Sequence, residues 1–304
     1  MQVKRKTGLG QNNIKSRLFY IALFALPTLQ FLIFYVFVNF NSFLLAFREY
    51  KTDLVSDGYI FPTMINFSHW FTHADKVELL AAIKISLKSY AIQVVVSVPL
   101  GLFFSYYMFK KMPGSKTFRI LLFMPSIISA AVLAIVYQYV VNFPIKEWFS
   151  NPKLDTNNID NRYFFLIFFN LFVGFGTNVL MYTNKMGGIA PEIIESAHLD
   201  GANGFNEFWY IVLPQTYSIA TVFWITGFAA CFSNQWNLML FQKFSPTTDM
   251  QPVGYLLWYG VERAHGNVAA MTLYAALGLL ITFVVVPLTF LLRWALNKVG
   301  WKED

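Results

Sequence analysis

The sequence predicts an all-α protein that crosses a membrane several times, and three observations carry that expectation. Of the 304 residues 56% are hydrophobic and only 13% are charged, with a mean hydropathy of +0.48; soluble domains hold roughly 45–50% apolar and about 25% charged residues. The apolar residues gather in six runs, each long enough to cross about 30 Å of hydrocarbon at 1.5 Å per helical residue. None of the runs alternates with period two over about ten residues, as the strands of a membrane barrel do.

The first run, residues 18–40, follows Lys4, Arg5, Lys6, Lys15 and Arg17. It is longer than the apolar region of a signal peptide, and the stretch FVNFNSFLLAF offers no small-x-small cleavage site, so it reads as a retained anchor. Residues 90–109, 120–141, 163–182, 218–240 and 268–292 form the other five. Each is apolar all round, which in isolation also describes a buried helix of a large soluble protein; six in succession argue against that reading. Residues 18–292 are expected to form one six-helix membrane domain between short tails, 1–17 and 293–304, with no internal repeat or low-complexity linker. The largest connection, 41–89, is mixed in charge and ends in VELLAAIKISLKSY, an amphipathic helix leading into the second run.

Lysine and arginine set the orientation. One side of the predicted topology holds 13 of them against six acids, and the other holds ten against ten. The excess is concentrated in the N-terminal tail and residues 110–119, which places both termini in the cytoplasm. Trp294 and Trp301 then lie near the inner end of the last run and Trp70 and Trp148 in external segments, as interfacial anchors or as packing residues. The net charge of +7 and pI near 9.3 follow from residues that flank apolar runs, not from a basic patch interleaved with aromatics, so nucleic acid is not an expected partner. A single cysteine, Cys231, excludes an intramolecular disulfide and any Cys-rich zinc module. His69 and His73 have i, i+4 spacing in HWFTH but no third ligand nearby, and no metal site is expected.

Residues 183–216 join the fourth and fifth runs and break the pattern of basic cytoplasmic loops: one lysine, Lys185, stands against Glu192, Glu195, Asp200 and Glu207. Pro191 suits a first helical turn, Glu192 and Glu195 complement the positive end of the helix, and Gly201 supplies a left-handed stop after about ten residues. Asn203 can cap a second helix with Phe205, Phe208, Trp209 and Val212 on its apolar side, until Pro214 interrupts or bends it. An acidic amphipathic loop is repelled by anionic lipid, so a docking surface for a cytoplasmic protein is the better fit. Ser196, His198 and Asp200 carry the letters of a hydrolytic triad, but they crowd one helical turn and cannot form a relay. No catalytic residue is expected.

Glu195-Ser196-Ala197, then Gly201, then Ile211, Leu213 and Pro214 resemble the EAA loop of the permease subunits of binding-protein-dependent ABC importers, at the spacing and about the distance from the C-terminus where that family carries it. The acid-rich PEIIESAHLDGANGFNEFWYIVLP and the stretch FRILLFMPSIISAAVLAIVYQYV are similar to the carbohydrate branch, of the maltose-transporter type, and the resemblance covers residues from about 86 to the end. Ser196 departs from the alanine usual at its position but keeps a small side chain.

The resemblance implies a type I ABC importer permease fold in a bacterial or archaeal cytoplasmic membrane. It implies a second, homologous permease subunit, a dimer of ATPase subunits, an external solute-binding protein and a sugar or oligosaccharide as solute. It also implies that Glu195, Ser196, Ala197, Asp200, Gly201, Ile211, Leu213 and Pro214 couple the chain to the ATPase. No G-x-x-x-x-G-K-[ST] occurs in the sequence, so ATP and magnesium are expected on the partner ATPase and no cofactor on this chain. Gly201 is expected at a turn where any side chain would clash.

A saccharide pathway needs hydrogen-bonding and aromatic side chains inside apolar helices. Asn170, Gly174 and Thr177 on the fourth run, and Gly227, Cys231, Asn234 and Trp236 on the fifth, are the candidates, with Gln93 and Gln138 behind them. Asn, Thr and Gly are also the usual glue between membrane helices, and Trp224, Phe232 and Trp236 can stack on a sugar or simply pack. Two alternatives remain: an ion-coupled secondary transporter and a membrane-embedded enzyme. The first needs intramembrane carboxylates, and the six runs contain no Asp or Glu. The second needs paired acids or histidines at one membrane face, and the acids here are scattered.

Overall fold

The structure, a computed structural model, describes residues 14–53, 56–151, 154–156, 158, 161–242, 250–264 and 266–300. Lys4, Arg5, Lys6 and Trp301 lie outside the described residues, as do the side chains of Lys15, Arg17 and His73.

Helix α1 (Leu18–Ala46) leads to a hairpin of β1 (Glu49–Asp53) and β2 (Ser56–Ile60), paired antiparallel with Glu49 opposite Ile60, and then to the short α2 (Ile65–His69). Next come α3 (His73–Phe109), α4 (Ser115–Ile127), α5 (Ala130–Trp148) and α6 (Arg162–Met186). The chain continues through α7 (Pro191–Leu199), α8 (Gly204–Cys231), α9 (Leu238–Gln242), α10 (Val253–Arg263) and α11 (Val268–Val299). Among the described residues α1, α3, α6, α8 and α11 are long and apolar enough to cross a membrane, and the chain is a helical, multi-pass membrane protein.

Helix α3 is the central strut, packed on α6, α8 and α10. The amphipathic stretch expected before the second run is continuous with it, because nothing between the two interrupts the backbone ladder; Pro99 falls inside α3, where flanking helices offset its missing N–H. Small residues set the closest approaches. Gly176 of α6 lies so near α4 that a Cβ would sit 1.9 Å from the Leu122 carbonyl oxygen, and Ser105 of α3 donates to the Val179 carbonyl at 2.8 Å. The core falls into three clusters. One, around Leu102, Tyr182, Met186, Phe208 and Val212, lies at the α7 end of the bundle. The other two, around Trp70, Cys231, Val253 and Leu277 and around Leu166, Leu238 and Tyr255, lie toward the opposite end. Helix α1 stands apart: it packs on α11 through Val38–Ala46, while residues 18–40 are exposed along their whole length.

Two expectations are corrected. Residues 120–141 are not one straight span; α4 and α5 meet at 107°, because Ile128 and Ser129 are extended and Pro125 weakens the turn before them. The fifth run is helical only to Cys231 rather than to 240; the chain turns over residues 232–237, where Trp236 and Asn237 both have φ +54. Trp70 is a packing residue, nearly fully buried, whose indole N–H donates to the Leu273 carbonyl at 2.9 Å, whereas Trp148 and Trp294 are exposed. The hairpin has no counterpart in the sequence reading.

Candidate functional site

The loop between α6 and α8 is built as its sequence requires. Pro191 opens α7 and Gly201, at φ +83, closes it. The Gly201 N–H donates to the His198 carbonyl at 3.0 Å and the Ala202 N–H to the Ala197 carbonyl at 2.9 Å, the paired bonds of a Schellman stop. A Cβ at Gly201 would meet nothing within 4 Å, so glycine is required by the backbone conformation and not, as expected, by crowding. Asn203 caps α8, its Oδ1 accepting from the Asn206 N–H at 2.9 Å.

Helix α8 is not interrupted at Pro214. A π turn over Phe208–Val212 precedes the proline, and helix continues to Cys231 through the position where the missing N–H would otherwise break the ladder. The expected apolar side is only half buried: Phe208 and Val212 face the core, while Phe205 and Trp209 are exposed and stack on each other at 6.2 Å.

Helix α7 contributes no buried residue. Glu195, Ser196 and Asp200 are exposed with Glu192, and Leu199 is 89% exposed between them; Ala197 is half-buried, and so are Ile211, Leu213 and Pro214 where α8 enters the bundle. The fourth acid of the loop behaves differently. Glu207 is 0% exposed: Lys110 Nζ donates to both its carboxylate oxygens, at 3.0 and 2.9 Å, and His198 Nε2 lies 2.6 Å from one of them. Sequence reasoning counted Glu207 with the solvated acids, since its partners stand nine residues before it and 97 residues before it.

In mid-bundle a cavity of about 220 Å³ opens between α3, α6 and α8. Tyr90, Gln93 and Ser97 line it from α3, Asn178 and Tyr182 from α6, and Trp224, Thr226 and Gly227 from α8. No charged residue is among the lining. Asn178 is 3.3 Å from Ser97, the Tyr90 hydroxyl donates to the Trp224 carbonyl at 2.9 Å, and the Trp224 indole N–H is buried with no partner among the described residues.

Of the pathway candidates, the structure brings Gly227 to this cavity, together with Gln93 and Trp224, and not the others. Asn170 is occupied elsewhere: its Nδ2 donates to the Leu166 and Trp236 carbonyls at 2.8 and 2.7 Å, and its Oδ1 accepts from Asn237 at 2.8 Å. Asn234 folds the same turn, its Oδ1 accepting from the Trp236 N–H at 2.8 Å. Trp236 is buried there, and Gln138 donates to the Leu240 carbonyl. Cys231 is in the core, Gly174 is half-buried and Thr177 is exposed. Asn178 was overlooked at the end of NLFVGFGTN; it lies eight residues after Asn170, about 80° further round the helix, and no spacing in the sequence marks it. His69 Nε2 lies 3.1 Å from Asp75 Oδ2.

Known proteins share this architecture. A chain of a bacterial ABC transporter involved in the import of the acidic polysaccharide alginate superposes with a TM-score of 0.73 at 17% identity, over 93% of this chain and 97% of that one. A chain of the bacterial alginate ABC transporter in complex with alginate pentasaccharide-bound periplasmic protein gives 0.72 at 16% identity. In sequence, the arabinooligosaccharides transport system permease protein AraP of Bacillus subtilis (strain 168) is 24% identical over 288 residues, 88% of this chain and 86% of that protein. The chain is thus similar in sequence to permease subunits of sugar ABC importers and shares the fold of an ABC importer permease. The multiple sugar-binding transport system permease protein MsmF of Streptococcus mutans is 20% identical over 61% of this chain and 68% of its own length. The maltose/maltodextrin permease protein MalF of Vibrio cholerae is 23% identical over 47% of this chain but 29% of its own length. No family model matches the chain. Helix α7 and its Gly201 turn carry the residues on which the resemblance rests.

Proposed function

We propose that the chain is one of two permease subunits of an ATP-driven importer for a sugar or oligosaccharide, worked by alternating access. The observation that carries this reading is α7: a helix with no buried residue, held in a fixed turn between two spans, presenting Glu192, Glu195, Asp200 and Leu199 outward. An acidic helix with no buried residue is repelled by anionic lipid, so a cytoplasmic protein is its better partner. On this reading α7 seats in a separate ATPase subunit, which binds ATP and magnesium, and both termini lie in the cytoplasm of a bacterial cell. The bent α4–α5 pair counts as the third of six spans.

The solute class follows from the cavity and from the relatives. Aromatic faces from Tyr90, Tyr182 and Trp224 beside the amides of Gln93 and Asn178 suit hydroxyl-rich rings. At about 220 Å³ the cavity falls short of the roughly 300–1,000 Å³ of a complete small-molecule site. It fits half of a site that a second permease subunit completes, with an external binding protein delivering the solute. Without a cation in the lining, a neutral saccharide is a better guest than an acidic one, whose carboxylate would stay uncompensated.

Purification of the chain from native membranes in mild detergent tests this. A second permease and two copies of a P-loop ATPase should accompany it, and Gly201→Glu, which strains the left-handed turn, should release the ATPase while leaving the second permease bound. A chain that purifies alone, with or without the substitution, contradicts the importer reading.

A further inference from the structure

Glu207 belongs to neither the exposed docking face nor the cavity, yet it is the most completely enclosed charged group described. Its carboxylate sits at the start of α8, takes both hydrogen bonds of Lys110 at the end of α3, and meets His198 on α7. Lys110 is itself only 27% exposed. Tyr106, one turn before Lys110, donates to the Gly204 carbonyl at 3.0 Å and packs edge-on against Phe208 at 5.1 Å, with Phe103 stacked on the same ring at 5.4 Å. Three elements therefore converge on one carboxylate.

Two of the three are already joined through the chain. Residues 200–203 connect α7 directly to α8, so a push on α7 reaches the α8 wall of the cavity without help. Helix α3 has no such connection: it is separated from α7 by 81 residues of chain and carries Tyr90, Gln93 and Ser97, the opposite wall. The aromatic contacts are uncharged and hold through burial and ring geometry. A two-oxygen, charge-assisted bond in an enclosed site is stronger than a neutral hydrogen bond and fixes its own geometry.

We infer that Glu207 is a positioning residue for the transport cycle, fastening the end of α3 to α7 through Lys110 and His198 so that both cavity walls follow the docking helix together. This rests on the importer reading above.

The test uses the assembled complex in detergent, with single reporter cysteines on the two walls, Gln93→Cys on α3 and Thr226→Cys on α8, labelled by a water-soluble maleimide with and without ATP and vanadate. Cys231, 1% exposed, is shielded from the reagent. With Glu207 present, ATP should change the labelling rate at both positions by about five-fold or more, the lower end of ordinary coupling between distant sites. With Glu207→Gln, which keeps the size and loses the charge, the response at 93 should vanish while that at 226 and ATP hydrolysis persist. A purely structural loss would remove both responses together, and that result, or a response retained at both, overturns the inference. Should Glu207→Gln fail to assemble, Lys110→Met removes only the α3 arm and must give the same split; a retained response at 93 in that variant overturns it equally. Absence of any ATP response with Glu207 in place overturns the importer reading itself.

Discussion

The two ends of the helical bundle are fastened by different chemistry. At the α7 end, one buried carboxylate gathers a lysine and a histidine from two other elements. At the opposite end, neutral amides do the work: Asn170 on α6 grips the Trp236–Asn237 turn that follows α8, and Asn234 closes that turn on itself. The amide joint holds two residues in a left-handed backbone conformation that costs each about 1–2 kcal/mol, and three of its four bonds have a backbone group as one partner. The ionic joint spans three elements by side chains alone. The difference separates a joint that shapes one loop from a joint that can carry a displacement from one helix to another, with the uncharged cavity between them.

The comparison breaks most sharply at Glu207. Glu207→Ala leaves the half-buried Lys110 without its counter-charge, and removing one partner of a buried pair costs about 3–5 kcal/mol. Thermal unfolding of the purified complex should show a large drop in Tm, and an unchanged Tm would mean that the ionic joint holds nothing. The inter-helix contact at Gly176 comes next. Gly176→Val places a branched side chain against the Leu122 carbonyl, an overpacking that costs about 1–3 kcal/mol. Gly174→Val, where a Cβ meets nothing within 4 Å, is the matched control and should be near neutral in the same melt.

At the amide joint a smaller effect is expected. Asn170→Leu should cost about 1–2 kcal/mol, because hydrogen bonds between membrane helices contribute modestly, and protease accessibility of residues 232–237 should rise. A loss as large as that of Glu207→Ala would erase the contrast between the two joints. The smallest change is predicted at the α8 cap: Asn203→Ala should cost about 1 kcal/mol and loosen the turn, read as faster amide exchange at residues 204–207. Exchange no faster than in the parent would show that the cap does not hold the turn.

Much of this was legible in the sequence, and what was not follows a pattern. Apolar runs locate α1, α3, α6, α8 and α11, since span length is fixed by hydrocarbon thickness. The Gly201 stop and the Asn203 cap were readable because both are local. The bend at Ile128–Ser129 was not, because hydropathy is blind to backbone angles and both flanking segments are equally apolar. Glu207 and Asn170 illustrate the deeper gap: a polar residue can face solvent, a solute or another helix with the same neighbours in sequence, and its partner lies 97 residues away in one case and 67 in the other.

The central claim is that α7 docks on a separate ATPase. A photo-crosslinking amino acid at Leu199, the one leucine of that helix, exposed to light in native membranes, tests it most directly. The account predicts one protein adduct, whose partner yields peptides of a P-loop ATPase. Adducts with lipid alone, or with a protein lacking that motif, would contradict it.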